Sequence, residues 1–413
     1  MGAAWCVVGL ANGPYNCAVA GYKRQHYVPR SYLRRFSTDS EQKQICVGYI
    51  AEQRVIEGAS IRDQCYRDYY YGEDGTIEEA LSKLEGGVAK IFAKLEGDPL
   101  YWPSASEREF LILFISTLRG RTEAGELRTA SFRQQTEAKL IELYGAETAA
   151  RALKDINPGI GVVQSLRAHS VVASGLYDLR LICVSAAQDS EFLTCDAPVI
   201  HLNMFGFMRR GAPFGVLNSG LVIILPASPS ECLIAYDANV YTYAPRGINR
   251  IRLDRRSDVF EINRVVSNAA INSIYLRNRT QFCPDVRGLM LHLKNNRPET
   301  SVKFELFKEE SPNKFQRTTF EDEKGKRGSY LLQHSQPVQK DQLQLSGFRR
   351  RLKPVSFDTR TAAGVIRDPA WFRISQDYAE SISKKRGNVP TPSKFAKAHP
   401  AYQSVGAWKE WLS

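Results

Sequence analysis

His26, Glu78, Glu85, Arg121 and Asp196 are the residues of this chain whose types could do chemistry together. An imidazole and carboxylates can hold a divalent ion such as magnesium or move a proton, and a guanidinium can stabilise charge on a phosphate. These are the parts of a metal-assisted phosphodiesterase. Glu78 and Glu85 are seven residues apart, nearly two helical turns, so both project along one side of a helix beside its apolar stripe. There they either line a cleft or stay as solvated or paired charges. Arg119 and Arg121 end an apolar helix, where positive charge suits the dipole and where an anion can also be recognised. Asp196 closes a strand two residues before Pro198, either as a presented carboxylate or as the acceptor of an Asx turn. Asn263 lies beside Ile262 on the inward stripe of a later helix and needs partners there. The chain has no HExxH, P-loop, dinucleotide-binding glycine fingerprint, nucleophile elbow or zinc-finger pattern, so the metal's identity stays open.

The elements that must position these groups begin with His26-Tyr27-Val28-Pro29-Arg30-Ser31-Tyr32-Leu33-Arg34-Arg35-Phe36. Pro29 presets φ for a first helical turn, so a short helix is expected from Pro29 to Phe36. Val28, before proline, is extended and brings His26 in on a strand or loop. His26 beside Arg30 is then a base, a ligand or an anion contact, or else a backbone anchor for the chain entry. Gln44 to Ile50 and Gln53 to Ile61 read as strands, and Arg67 to Gly72 as a tyrosine-rich loop. Thr76-Ile77-Glu78-Glu79 and Ser106-Glu107-Arg108-Glu109 have the form of capping boxes. The first opens a helix striped by Leu81, Leu84, Val88, Ile91 and Leu95, which Gly86-Gly87 either kinks or opens to a close neighbour. The second opens a helix apolar on nearly all sides and therefore buried. Further helices are expected at 123–144, 146–154, 161–177 and 257–276, and strands at 179–184, 191–194, 221–225 and 231–235. These strands follow one another too closely for crossover helices. The fold class is α+β, a helical first half packed on a small, mostly antiparallel sheet.

Length and composition divide the chain into a poorly ordered leader (1–21), a main domain (22–295), a polar linker-like segment (296–347) and a basic C-terminal extension (348–413). The net charge is +12, and residues 297–413 hold 22 Lys/Arg against 13 Asp/Glu, which is +9 of it. Arg349, Arg350, Arg351 and Lys353, then Lys384, Lys385 and Arg386, concentrate this charge beside Trp371 and Phe372. The extension is therefore a candidate nucleic-acid contact, or simply a solvated face. Eight cysteines are scattered without a CxxC pair, several inside apolar runs, as in a protein of the reducing cytoplasm. No stretch approaches the roughly 20 apolar residues of a membrane span.

His26-Tyr27-Val28-Pro29 with Tyr32-Leu33 and Phe36-Ser37 resembles the N-terminal signature of the bacterial domain-of-unknown-function family 4238. Its later blocks are similar to the helix holding Glu78 and Glu85, to Arg121, to Thr194-Cys195-Asp196-Ala197-Pro198-Val199 (with cysteine where the family usually has serine), and to Leu225-Pro226-Ala227-Ser228-Pro229. Asn263 and Asn268 fall in its closing helix. The resemblance spans about residues 23–278 and implies which polar residues belong together, but no reaction. Three functional classes follow: a metal-assisted hydrolase acting on nucleic acid, a non-catalytic nucleic-acid or effector-binding protein, and a structural or interaction module. The first requires His26, Glu85, Arg121 and Asp196 to meet, with Glu78, Arg119, Arg30 and Asn263 around them.

Overall fold

The structure, a computed structural model, describes residues 23–153, 161–205, 215–278, 284–295, 303–311, 314–324, 326, 328, 330–335, 343–359, 364–384 and 390–404. The leader, Lys385 and Arg386 lie outside the described residues, as do the side chain of Lys384 and the cysteines at 6, 17 and 283.

The chain enters on β1 (Arg24–His26), turns through the four-residue α1 (Arg30–Leu33) into a 3-10 turn ending at Phe36, and makes β2 (Gln44–Tyr49), β3 (Arg54–Ser60) and β4 (Tyr66–Asp68). Pro29 caps α1 from just outside it. The helical part follows: α2 (Thr76–Gly97), α3 (Ala105–Arg121), α4 (Glu123–Tyr144), α5 (Ala146–Leu153) and α6 (Gly161–Val172). Then come β5 (Arg180–Ser185), β6 (Thr194–Cys195), β7 (Ile200–Leu202), β8 (Val222–Pro226), β9 (Glu231–Tyr236), β10 (Tyr241–Thr242) and β11 (Arg250–Arg252). α7 (Arg256–Ala269), β12 (Ser273–Leu276) and α8 (Pro284–Asn295) complete this part.

The fold is α+β, with two principal sheets where one small sheet is expected. One has the order β11-β5-β9-β8-β7, antiparallel except for β11 beside β5, and the other is β3-β2-β12-β6, antiparallel throughout. Both stand between the same two hydrophobic cores. Leu181 and Cys183 of β5, Ile223 and Leu225 of β8, and Leu233 and Ala235 of β9 face the core shared with the helices. Ile182 and Val184, Val222 and Ile224, and Cys232 and Ile234 face the other. Strands buried on both faces have no polar alternation, which is why they read as continuous apolar runs.

Three local expectations are corrected, and the alternative left open at Gly86-Gly87 is decided for a close neighbour. The N-cap of α2 is Gly75, at φ 70°, and not Thr76; no side chain closes that cap. The capping box of α3 is Ser104 with Glu107, one of two overlapping S-x-x-E patterns; Glu109 is instead buried and accepts the Ser393 N–H at 2.8 Å. α2 is one continuous helix across Gly86-Gly87, where a Cβ on Gly87 would come within 3.2 Å of the Phe110 ring. The helix expected over 257–276 stops at Ala269, because Asp196 takes the next backbone N–H groups and turns the chain into β12.

The stretch read as linker-like carries structure of its own. β13 (Lys303–Ser311), β14 (Lys314–Thr318) and β15 (Tyr330–Ser335) form an antiparallel sheet, with a helical turn α9 (Phe320–Glu323) between them. Beyond it, β16 (Arg349–Arg350) pairs with β10, and β17 (Phe357–Asp358) pairs with β18 (Val365–Ile366). α10 (Pro369–Lys384) and α11 (Pro392–Ala398) follow. This segment is docked on the body. Leu343, Leu345 and Phe348 join the second core, Phe348 packing its ring against Tyr236, Tyr241 and Tyr243. Trp371, Ile374, Tyr378, Ile382 and Ala396 join the first.

Candidate functional site

The last residue of α3 gathers the opening stretch around itself. Arg121 is buried, its side chain 2% exposed, and donates three ways: Nε to the Tyr71 hydroxyl (3.0 Å), one terminal nitrogen to Glu85 Oε1 (2.5 Å), the other to the His26 carbonyl (2.5 Å). Tyr71 also donates to the His26 carbonyl at 3.1 Å. Gln25, fully buried, fixes the loop that presents Tyr71 by accepting the Tyr71 N–H at 2.6 Å and donating to the Gly72 carbonyl at 2.8 Å. β1 thus carries His26 while β4 pairs with it in register, His26 opposite Tyr66. Tyr71 and Gln25 escape sequence reasoning; a tyrosine run and one glutamine carry no motif.

The His26 imidazole faces the other way from its carbonyl. Its Nε2 lies 3.1 Å from the Arg62 carbonyl, and burial, then the charges of Arg30, Arg121 and Arg24, lower its pKa to about 4. At neutral pH it is uncharged. Arg30, Arg34 and Arg62 are exposed around it, and Arg34 and Arg62 add to the burial that lowers the Arg30 pKa. Among the described residues none of the three has a carboxylate partner, whereas Arg24 pairs with Asp63 (2.7 Å) and Arg35 with Glu96 (2.9 Å). Like charges left together at a surface favour an anion.

Glu78 and Glu85 do lie on one side of α2 and share Arg121. Glu85 takes the ion pair and remains 19% exposed. Glu78 is half-buried, and its Oε2 is enclosed with no hydrogen-bond partner among the described residues. Burial raises its pKa, Arg121 opposes that, and Glu85 adds to it. A half-buried carboxyl held beside an arginine–carboxylate pair is suited to proton transfer. Among the described residues no three His, Cys, Asp or Glu side chains gather as a group that could hold a metal ion.

The other expected residues sit elsewhere. Asp196 makes no bond to His26; it is buried and accepts backbone N–H groups of Ile271 (2.9 Å), Asn272 (2.6 Å) and Ser273 (3.1 Å). Burial pushes its pKa up to about 6 against the pull of those donors, and its charge is felt at Tyr27 and Cys65. Asn263 latches α7 to the segment before β6, accepting from Leu193 N (3.0 Å) and donating to Glu191 O (2.9 Å). Arg119 points away from Arg121 and donates to the Val199 carbonyl at 3.1 Å. In the C-terminal segment Arg349, Arg350, Arg351 and Lys353 are exposed, Arg351 Nε donating to the Ala238 carbonyl at 2.7 Å. The structure therefore brings together His26, Arg30, Glu78, Glu85 and Arg121, and leaves Asp196, Asn263 and Arg119 outside that group.

A family model described as "Protein of unknown function (DUF4238)" matches residues 24–280. No curated protein and no solved structure matches the chain.

Proposed function

We propose, for a chain that belongs to the DUF4238 family, that it binds nucleic acid through the exposed arginine face around His26. One observation carries this reading: Arg30, Arg34 and Arg62 crowd the rim of a buried network, and no described carboxylate neutralises them. Phosphates are the partners such a face suits. The exposed Arg349, Arg350, Arg351 and Lys353 form a second basic stretch for the same polyanion. Cytoplasmic residence is part of the proposal; Cys46, Cys65, Cys183, Cys195 and Cys232 are all buried and unpaired as disulfides, which suits a reducing compartment.

Hydrolysis of the bound phosphodiester is a second reading, favoured by Glu78. Its enclosed, unpartnered carboxyl beside the Arg121–Glu85 pair suits a proton acceptor from water, with Arg121 stabilising phosphate charge. No step of this reading is routed through a metal.

The test is a titration of labelled single-stranded oligonucleotide at two salt concentrations. Arg30→Gln/Arg34→Gln/Arg62→Gln should bind roughly tenfold more weakly and lower the log K against log salt slope by about 2, at about 0.7 for each phosphate no longer neutralised. Unchanged affinity and slope would remove the nucleic-acid reading at this face. Glu78→Gln should keep binding and abolish any cleavage; cleavage at the wild-type rate would exclude the second reading.

A further inference from the structure

Two residues before Arg121, Arg119 leaves α3 about 200° around the helix axis and enters a different environment. There it meets Arg128 of α4, His169 of α6 and His201 of β7. Arg128 donates to the Arg119 carbonyl at 3.1 Å, and the Arg119 side chain donates to the Val199 carbonyl just before β7. The His169 ring lies against Gly120, so close that a Cβ there would come within 2.8 Å of it, and its Nδ1 is 2.9 Å from the Ser165 carbonyl. Nε2 of His201 is enclosed and has no hydrogen-bond partner among the described residues.

Every charged group in this cluster has the same sign. Burial and then Arg128 lower the Arg119 pKa, and burial lowers that of Arg128 to about 10. Burial, then both arginines, lowers His169 to about 3, and His201 is lowered by burial and then Arg119, His169 and Arg128. No described carboxylate offsets them. Guanidinium does not shed its proton at physiological pH, so two positive charges remain. Carbonyls at the end of α3 supply about half a negative charge. Arg119, Arg128 and His201 are half-buried, so water screens these charges only in part. No counter-charge meets them among the described residues, and the enclosed imidazole nitrogen of His201 stands beside them without a hydrogen-bond partner there.

We propose that Arg119, Arg128 and His201 form a binding site for one small phosphate-class anion, distinct from the surface around His26. The ligand chemistry is a tetrahedral oxyanion, met by two guanidiniums and one imidazole N–H. Its source is either free phosphate or the phosphate ester of a mononucleotide.

The experiment is calorimetric titration of the full chain with sodium phosphate and with AMP against sodium chloride at equal ionic strength, with thermal melting in parallel. Binding of one equivalent that raises the melting temperature is expected, and it should survive in Arg30→Gln/Arg34→Gln/Arg62→Gln, which separates this site from the nucleic-acid reading. Arg128→Met should weaken binding roughly tenfold and His201→Phe roughly threefold, as loss of a charged and of a neutral hydrogen bond would. His201→Phe keeps the test open should Arg128→Met fail to fold. Tighter binding of AMP than of phosphate assigns the group to a nucleotide, and the reverse to the free ion. Binding of neither ligand, binding unaffected by both variants, or binding abolished only in the surface triple variant would overturn the proposal.

Discussion

Arg121 and Arg367 are both buried arginines with side chains 2% exposed, and the way each is satisfied separates two regions of this molecule. Arg367 follows β18 in the C-terminal segment. It grips Asp178 with two bonds of 2.6 Å and spends its remaining donors on the carbonyls of Gly175 (2.6 Å), Val216 (2.7 Å) and Asn218 (3.0 Å). Its acid partner is only 3% exposed. All five N–H groups of the fork are used, so this is a closed rivet that holds the C-terminal segment on the body. Arg121 has partners for three of its five donors among the described residues, its acid partner reaches solvent, and a second carboxyl, Glu78, stands beside it without a bond to its Oε2. A buried arginine alone is therefore no sign of function; what sets Arg121 apart is that its donors are only partly used among the described residues and that its acid partner reaches solvent, which is why the proposed binding face is placed there.

The largest effect that would sharpen this comparison is at the rivet. Arg367→Met should cost about 3–5 kcal/mol, since it strands Asp178 with no route to water. A denaturant midpoint shifted by much less would show that the C-terminal segment is not held this way. For the same reason, removing residues 339–413 should destabilise the body, because without Phe348 and Trp371 both cores are exposed; point substitutions at Arg349 and Lys353 are the cleaner probes of nucleic-acid binding. Arg121→Met should cost less, about 1–3 kcal/mol, because Glu85 can be rehydrated where it stands. Equal destabilisation by the two substitutions would break the distinction between the arginines.

The smallest effect concerns pH. His26 has a folded pKa of about 4, below the ordinary value of 6.5. The unfolded chain then binds the extra proton, so stability falls as pH falls through 6.5 and the decline is complete below 4. Between pH 7 and pH 6, His26→Gln should reduce the fall in unfolding free energy by about 0.5 kcal/mol, allowing for screening near the surface. His169 and His201, also lowered, act in the same direction. Identical pH profiles for wild type and His26→Gln would show that the ring is not held neutral by the fold.

Much of the secondary structure was legible. The helix over Glu123–Tyr144 and the apolar stripe of α2 follow from periodicity, and the doubly buried strands from their unbroken apolar runs. Part of the candidate site's arrangement was legible too, since helical geometry puts Glu78 and Glu85 on one side of α2 and Arg121 at the end of α3. Asp196 shows where that reasoning ends. Its position at a strand exit could be read, but its partners, the backbone N–H groups of Ile271 to Ser273, lie some seventy-five residues away. That capture is also what ends α7 early and creates β12, so one long-range bond set both occupies the Asp196 carboxylate and moves a helix boundary.

By itself the sequence determined the fold class, the burial of α3, the side of α2 that carries two carboxylates, and the excess of positive charge towards the C-terminus. These are consequences of local pattern, each set by neighbours within a few turns or strand residues. Which cations are neutralised was decided only by tertiary structure. Arg121 meets Glu85 across 36 residues and Arg367 meets Asp178 across 189, while Arg119 meets no acid among the described residues. Identical side chains became a partly satisfied donor beside a second carboxyl, a rivet, and a charge with no acid partner among the described residues. Coulomb and hydrogen-bond energies depend on distance in space and on desolvation, and the order of residues along the chain specifies neither.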